Sequence, residues 1–302
     1  MPELTPRVVA VVVTFQPDRV RLRALLDAVT EQVEGLVLVD NGDAALFSSL
    51  GLVCRTKVQT LGMGENRGLA AAQNRGIGKA REWGAEFVLL LDQDSVPAGD
   101  MVSKLMAAMM GLRDRGLRVA AVGPRYTDQN QIDLRPFVRV RNARVERFDC
   151  GRSDRVVEVD HLIASGSLVP VTALDAIGGM REDLFIDHID TEWGLRARCE
   201  GYRLFGVCGA AMRHGLGDRP YRFLGRYVPI HSPLRHYYLF RNTVWLCRQG
   251  WIPWHWRLAI ARSAFFKLLF FAIVPRERLS QIGMIFRGVC DGWRGRMGRL
   301  ET

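Results

Sequence analysis

The chain has 302 residues, 48% of them hydrophobic and 25% charged, a balance that excludes disorder and leaves room for one large domain plus an appendage, or two small domains. Its six cysteines (54, 150, 199, 208, 247 and 290) form no Cys-x-x-Cys, which argues against a zinc site or a disulfide framework and predicts reduced thiols in the cytosol. The net charge of +10 sits at one end: residues 216–302 carry 15 Lys and Arg against 4 Asp and Glu, residues 1–215 carry 27 against 28. Such asymmetry calls for an anionic partner: nucleic acid, anionic lipid or a diphosphate substrate.

No secretory pattern precedes the first apolar run. Val8 to Thr14 is β-branched and apolar throughout and predicts a strand buried on both faces, hence parallel. Pro17-Asp18 opens a helix with apolar Val20, Leu22, Leu25, Leu26 and Val29. Leu36 to Val39 predicts a second strand ending at the turn Asp40-Asn41-Gly42, and residues 53–58 a short third. An alanine-rich helix is expected over Leu69–Trp83, a strand over Phe87–Leu91, a helix over Gly99–Leu112 and a strand over Val119–Val122. Strands alternating with helices imply an α/β fold with a mainly parallel, doubly wound sheet. Ligands of such sheets bind outside the carboxyl ends of the strands, where Thr14, Asp40, Asp92 and Asp94 fall.

Residues 125–155 are rich in Arg and predict a surface excursion with a hairpin. A strand over Val156–Ile163, a short helix over Thr172–Ile177, a helix over Asp190–Cys199 closed by Gly201, and a strand over Leu204–Val207 follow. Beyond residue 215 aromatics alternate with Arg, and Trp251, Trp254 and Trp256 cluster. The apolar run 258–274 contains Arg262 and Lys267. Two charges argue against a membrane span, which needs about 20 mostly apolar residues. An amphipathic helix in the membrane interface and a helix packed on the domain both stay open.

The pair Asp92-x-Asp94 carries the most chemical information. Two carboxylates at the end of a buried strand cost several kcal/mol unless paired. They offer hard oxygen ligands to Mg²⁺ or Mn²⁺, which keeps open positions for phosphate.

Taken together, Thr14-Phe15, Asp40-Asn41-Gly42, Glu65-Asn66-Arg67-Gly68 through Asn74, Asp92-Gln93-Asp94, Ser165-Gly166-Ser167, Asp187 to Trp193, and His214 form an ordered set. The series resembles the inverting family-2 glycosyltransferases of the GT-A fold, over about residues 8–245. Asp92-Gln93-Asp94-Ser95, Asp190-Thr191-Glu192-Trp193 and Arg235-His236-Tyr237-Tyr238 with Arg241-Asn242 look like the rhamnosyltransferase-like subgroup.

The resemblance implies a metal-dependent hexosyltransferase with Asp94 as direct metal ligand, Asp92 on the metal or ribose, and His214 as third ligand. It implies a nucleotide-sugar pocket at Thr14, Asp40, Asn66, Gly68, Asn74 and Asp92, with Arg235 and Arg241 on the diphosphate. Inversion needs a base to take the acceptor proton. Asp190 matches the family's acid there, with Asp187 and Glu192 as rivals. Ser165, Gly166, Ser167 and Trp193 fall on the acceptor side.

The expected donor is dTDP-L-rhamnose, with a UDP-sugar as the alternative. The expected acceptor is a cell-surface polysaccharide or a lipid-linked glycan precursor of the cell envelope. A sugar nucleotidyltransferase is the rival enzyme, but Thr14-Phe15-Gln16-Pro17-Asp18 lacks its phosphate loop. No nucleic-acid motif accompanies the C-terminal arginines. Residues 1–215 are expected to form the GT-A domain, with nucleotide-sugar half 1–122 and acceptor half 123–215. Residues 216–302 are expected to form a basic helical region that holds a cytoplasmic enzyme on the inner face of the membrane.

Overall fold

The computed structural model describes residues 7–42, 57–128, 137–141, 144–151, 154–214, 220–223, 226–229, 231–273 and 278–301. β1 (Val8–Thr14) is buried along its whole length. α1 (Arg19–Thr30) starts at Asp18, whose carboxylate accepts from the N–H groups of Val20 and Arg21 at 2.9 and 3.0 Å, filling two of the bonds a helix start leaves open. β2 (Gly35–Asp40), β3 (Val58–Gly62), α2 (Leu69–Glu82) and β4 (Phe87–Asp92) follow, then β5 (Ser95–Pro97), α3 (Met101–Asp114) and β6 (Val119–Asp128). β7 (Phe137–Arg141) and β8 (Arg144–Phe148) form a hairpin, and β9 (Val156–Val159), β10 (Leu168–Pro170) and α4 (Val171–Ile177) come next. A 3-10 turn at Glu182–Leu184 leads to α5 (Ile189–Cys199) and β11 (Arg203–His214). β12 (Pro220–Phe223) pairs with β13 (Arg226–Pro229), and α6 (Pro233–Arg248), α7 (Trp254–Ile273) and α8 (Arg278–Arg294) close the chain.

Among the described residues the main sheet has nine strands in the order β3-β2-β1-β4-β10-β6-β11-β5, with β9 added on β11. β1 lies parallel between β2 and β4. The chain therefore runs outward from β1 in one direction and then the other, which opens a crevice at their carboxyl ends. The register sets Thr14 beside Asp40 and Val13 beside Asp92. Successive strand residues face opposite sides: Val9, Val11 and Val13 join one core with Ile77 of α2, while Val8, Ala10 and Val12 join another with Leu22, Leu25 and Leu105. Burial of both faces explains why these strands read as unbroken apolar runs.

Several expectations change. The strand over 156–163 stops at Val159, where Asp160 turns to accept from the Val140 N–H at 2.7 Å; Gly166, with φ +85°, then precedes β10. β10 runs antiparallel to β4 and β6. β11 continues from the expected 204–207 to His214 through an irregularity between Val207 and Ala211. The third strand begins at Val58; residues 53–56 lie outside the described residues. The 137–148 hairpin is not all surface, since Phe137 and Val140 are buried. Cys150 and Cys208 form a disulfide rather than two reduced thiols: at a sequence separation of 58 no spacing motif announces it, yet their Cα atoms lie 5.5 Å apart.

The C-terminal helices are bound into the site. α8 lies so close to α6 that a Cβ on Gly288 or Gly292 would stand 2.4 Å from the carbonyl oxygens of Tyr237 and Arg241. α7 is apolar on both sides, not amphipathic: Ile260, Phe270 and Phe271 are buried while Trp254, Leu258, Phe265 and Leu269 are exposed. No helix among the described residues is long and apolar enough to cross a membrane.

Candidate active site

The carboxyl ends of β1 and β4 floor a cleft of about 520 Å³. On one wall, Asn41 organises the loop before α2. Its Nδ2 donates to Asn66 Oδ1 (3.1 Å), and its Oδ1 accepts from the Arg67 N–H (2.9 Å). Asn66 Oδ1 also accepts from the Gly68 N–H at 3.0 Å. Gly68 has φ +92°, and a Cβ there would lie 2.7 Å from the Phe185 carbonyl oxygen. Only glycine meets both demands, which lets the Leu69 N–H donate to that carbonyl at 2.7 Å. Gln93 grips the main chain of Phe15 at the cleft mouth, accepting from its N–H (2.7 Å) and donating to its carbonyl (3.2 Å).

The acids sit deeper. The Asp92 N–H donates to Ser165 Oγ (2.9 Å), the Ser165 and Ser95 hydroxyls are 2.7 Å apart, and Ser95 Oγ is 2.7 Å from His214 Nδ1. This buried relay fixes Asp92 and His214 together, with His214 Nδ1 3.6 Å from Asp94 Oδ1. Burial pushes both the Asp92 and Asp94 carboxyls above the usual range, against the pull of His214. Among the described residues no three His, Cys, Asp or Glu side chains are grouped closely enough to hold a metal on their own. The donor set of Asp92, Asp94 and His214 still suits a hard divalent cation that shares its shell with phosphate oxygens. Extra positive charge there would stabilise two half-buried carboxylates beyond what His214 gives.

The opposite wall is residues 185–190. Phe185, Asp187 and His188 all have positive φ (64°, 62° and 63°), which costs on the order of 1 kcal/mol or more each. Asn242 holds them by donating to the carbonyls of Leu184, Ile186 and Asp187 at 2.8–2.9 Å. Arg241 donates to the carbonyls of Asp183, Leu184 and Gly298. So held, Asp187 faces the cleft in a paired contact with Arg235 at 3.2 and 3.3 Å. Asp190 faces it from the first turn of α5. Its Oδ1 accepts from the Thr191 N–H (2.7 Å) and its Oδ2 lies 3.4 Å from His161 Nε2. Burial would raise the Asp190 carboxyl, but His161 and the Thr191 N–H hold it below its ordinary value. Burial would lower His161, but Asp190 lifts it above its own. His188, 3.0 Å from Thr243 Oγ1, is pushed down to about 4, mainly by burial.

The cleft thus gathers Thr14, Asn66, Gly68, Asp92, Asp94, Asp187, Asp190, His214 and Arg235. Other expected residues lie elsewhere. Asn74 ties α2 to the Met180 main chain and Glu182. Arg241 is fully buried, so it braces the cleft wall rather than clamping a diphosphate from within it. Glu192 is buried against Arg196 in a two-bond pair, and Trp193 is buried with its indole N–H on the Gly178 carbonyl. Asp40 is 3% exposed and does not line the cleft. Ser165, Gly166 and Ser167 lie beneath it, Ser165 in the acid relay and Ser167 donating to the Ile163 carbonyl. Missed by the sequence reading were Asn41, Gln93, His161 and Gln73, a cleft-lining residue whose buried Oε1 has no partner among the described residues. The polar pair Asp160-His161 just before Ala164-Ser165 was the available signal for His161.

The sequence profile described as "Glycosyl transferase family 2" matches residues 10–161. The dTDP-rhamnosyl transferase RfbF of Shigella flexneri is 30% identical over 300 residues, covering 98% of each chain. The chain belongs to glycosyl transferase family 2. Among solved structures, this glycosyltransferase resembles GalNAc-T7 with UDP, GalNAc and Mn²⁺ at a TM-score of 0.63 and 14% identity, over 97% of this chain but 57% of that one. It resembles S. aureus TarS 1–349 in complex with UDP-GlcNAc at 0.59 and 15%, over 94% and 81%. These likenesses show the GT-A fold, and the enzyme is a glycosyltransferase.

Proposed function

We propose that this glycosyltransferase transfers L-rhamnose, with inversion, from dTDP-L-rhamnose to a hydroxyl of a cell-surface or lipid-linked glycan. One observation carries the reading: Asp92, Asp94 and His214 stand in the same cleft as Arg235 and Asp190. The full-length likeness to RfbF supports the choice of donor. The acceptor oxygen bonds to the anomeric carbon as that carbon's bond to the diphosphate oxygen breaks. The acceptor proton passes to Asp190, and the electron pair leaves with dTDP. Asp190 is kept ionised by His161 and so is ready to accept that proton. Arg235, in the first turn of α6, places a guanidinium beside the leaving diphosphate, where the helix N-terminus adds its dipole. Asp94, Asp92 and His214 would hold Mg²⁺ or Mn²⁺, which supplies positive charge to the diphosphate when bound. Asn41, Asn66 and Gly68 shape the nucleoside side.

Association with the inner membrane face is also our reading. Trp254, Leu258, Phe265 and Leu269 form an exposed apolar stripe on α7, and Leu279, Ile282, Phe286 and Trp293 another on α8. Exposed Arg262, Arg278, Arg287 and Arg294 belong to the same two helices. Apolar stripes with basic neighbours suit an anionic lipid surface.

The test is turnover of dTDP-rhamnose against UDP-glucose and UDP-GlcNAc with a cell-envelope glycan extract and Mn²⁺. Sugar incorporation from dTDP-rhamnose alone is expected. Incorporation only from a UDP-sugar would retain the enzyme class and discard rhamnose.

A further inference from the structure

Behind Asp190 lies a second chamber, of about 240 Å³. His161, the partner of Asp190, lines it, and His188 lines both it and the cleft. The two spaces therefore meet at His188, two residues before Asp190, whose neighbour Thr191 also lines the chamber. The chamber walls are mainly apolar, made by Val138 and Val140 of β7, Leu239 of α6 and Ile260 and Ala264 of α7, with Thr191, Thr243 and Ser263 among them. A lysine joins that lining. Lys267, a turn beyond Ala264 on α7, lines the same space.

Lys267 makes no hydrogen bond or ion pair among the described residues, and the acid that acts on it, Asp187, is already paired with Arg235. Burial, with Arg235 adding to it, pushes the Lys267 pKa down. A lysine that served only to pack α7 against the hairpin would be better replaced by Met or Leu, since a cation in apolar surroundings costs several kcal/mol without a counter-charge. Apolar walls favour hydrocarbon, and the ammonium favours an anion. α7 also carries the exposed stripe of Leu258 and Phe265 on its other side, so one helix separates the chamber from the face assigned to the membrane.

We propose that this chamber is the acceptor subsite and takes the prenyl phosphate part of a lipid-linked glycan, its hydrocarbon against the α7 and β7 walls and its phosphate on Lys267, so that a hydroxyl of the attached sugar is presented to Asp190. The proposal rests on Asp190 being the base, but the chamber can be tested without turnover.

The probe is farnesyl phosphate, with farnesol and inorganic phosphate as half-probes, titrated by calorimetry into the full-length protein. Binding of dTDP with Mn²⁺ is measured on the same samples. Farnesyl phosphate is expected to bind at least tenfold tighter than either half-probe. Lys267→Met and, separately, Ala264→Trp should each weaken it at least tenfold while dTDP binds within about twofold of wild type. If Ala264→Trp does not fold, Lys267→Met with intact dTDP binding decides. Equal binding of farnesyl phosphate to wild type and Lys267→Met, or none to wild type, would overturn the chamber assignment and leave the donor cleft standing. Loss of dTDP binding by wild type would instead overturn the donor reading.

Discussion

Replacing each of three acids in turn asks which one takes the proton. Asp190→Asn keeps an oxygen to accept from the Thr191 N–H, now at 2.7 Å, so the start of α5 need not move. It removes the base charge that faces the cleft. Positioned general bases contribute about 10²–10⁴-fold, so at 1.36 kcal/mol per tenfold the barrier should rise by about 3–5 kcal/mol. The contact of His161 with a carboxylate is also lost, and that should cost about 1–3 kcal/mol of stability. Glu192→Gln gives the opposite pattern. Its carboxylate meets Arg196 at 2.9 Å through both oxygens and is 2% exposed, so folding should weaken by about 3 kcal/mol while turnover per folded molecule stays within a fewfold of wild type. Asp187→Asn loosens Arg235 and should raise the donor KM more than it lowers kcat. The assay is dTDP release under saturating donor, paired with urea unfolding of each variant. Asp190→Asn turning over within threefold of wild type, or Glu192→Gln losing turnover in the folded fraction, would refute the reasoning.

Other expectations are open to direct measurement. His188 is pushed from 6.5 to about 4; as pH falls through 6.5 the unfolded chain gains a proton that the folded chain refuses until about 4. Stability should therefore fall across that window by about 3 kcal/mol, and His188→Asn, which tolerates the left-handed backbone, should remove that part of the urea-midpoint slope. An unchanged slope would exclude His188 as its source. Ser165→Ala leaves the Asp92 N–H without its 2.9 Å acceptor and cuts the link to Ser95 and His214. It should cost about 1–3 kcal/mol and weaken Mn²⁺-dependent dTDP binding; loss of stability with unaltered metal dependence would show that the relay does not position the site. Trp254→Ser with Phe265→Ser and Phe286→Ser should release the protein from anionic vesicles in a sedimentation assay without changing dTDP binding. Retention of the triple variant on vesicles would remove the α7 and α8 stripes from the membrane reading.

How much was legible depends on where the information lies. β1, β2 and β4 could be read because burial on both faces leaves an unbroken apolar run that no helix or edge strand shares. The acids at their ends could be read because a charge at the end of such a run has no stabilising role alone. β10 could not, for its three residues carry too little pattern, and its direction depends on the turn at Gly166. Arg241 and Arg235 look alike in sequence, both in a Tyr-rich helix. Only the fold reveals that Arg241 meets three main-chain carbonyls whereas Arg235 meets an acid in the cleft. Asn74 was expected in the pocket and instead ties α2 to the Met180 main chain, while Asn41, read only as part of a turn, holds the loop before α2: an amide bonds whatever the fold sets beside it. The shift in composition at residue 216 marks a change in charge, while the packing of α6 against residues 183–187 crosses it.

The central claim is that a thymidine diphosphate and a divalent cation bind together at Asp92, Asp94 and His214. Its most direct test is calorimetric titration of the wild-type protein and Asp94→Asn with dTDP, UDP and GDP, each with and without Mn²⁺. dTDP is expected to bind wild type best, Mn²⁺ to tighten it at least tenfold, and Asp94→Asn to abolish the effect of Mn²⁺. Equal dTDP affinity with and without Mn²⁺, or an undiminished Mn²⁺ effect in Asp94→Asn, would contradict it.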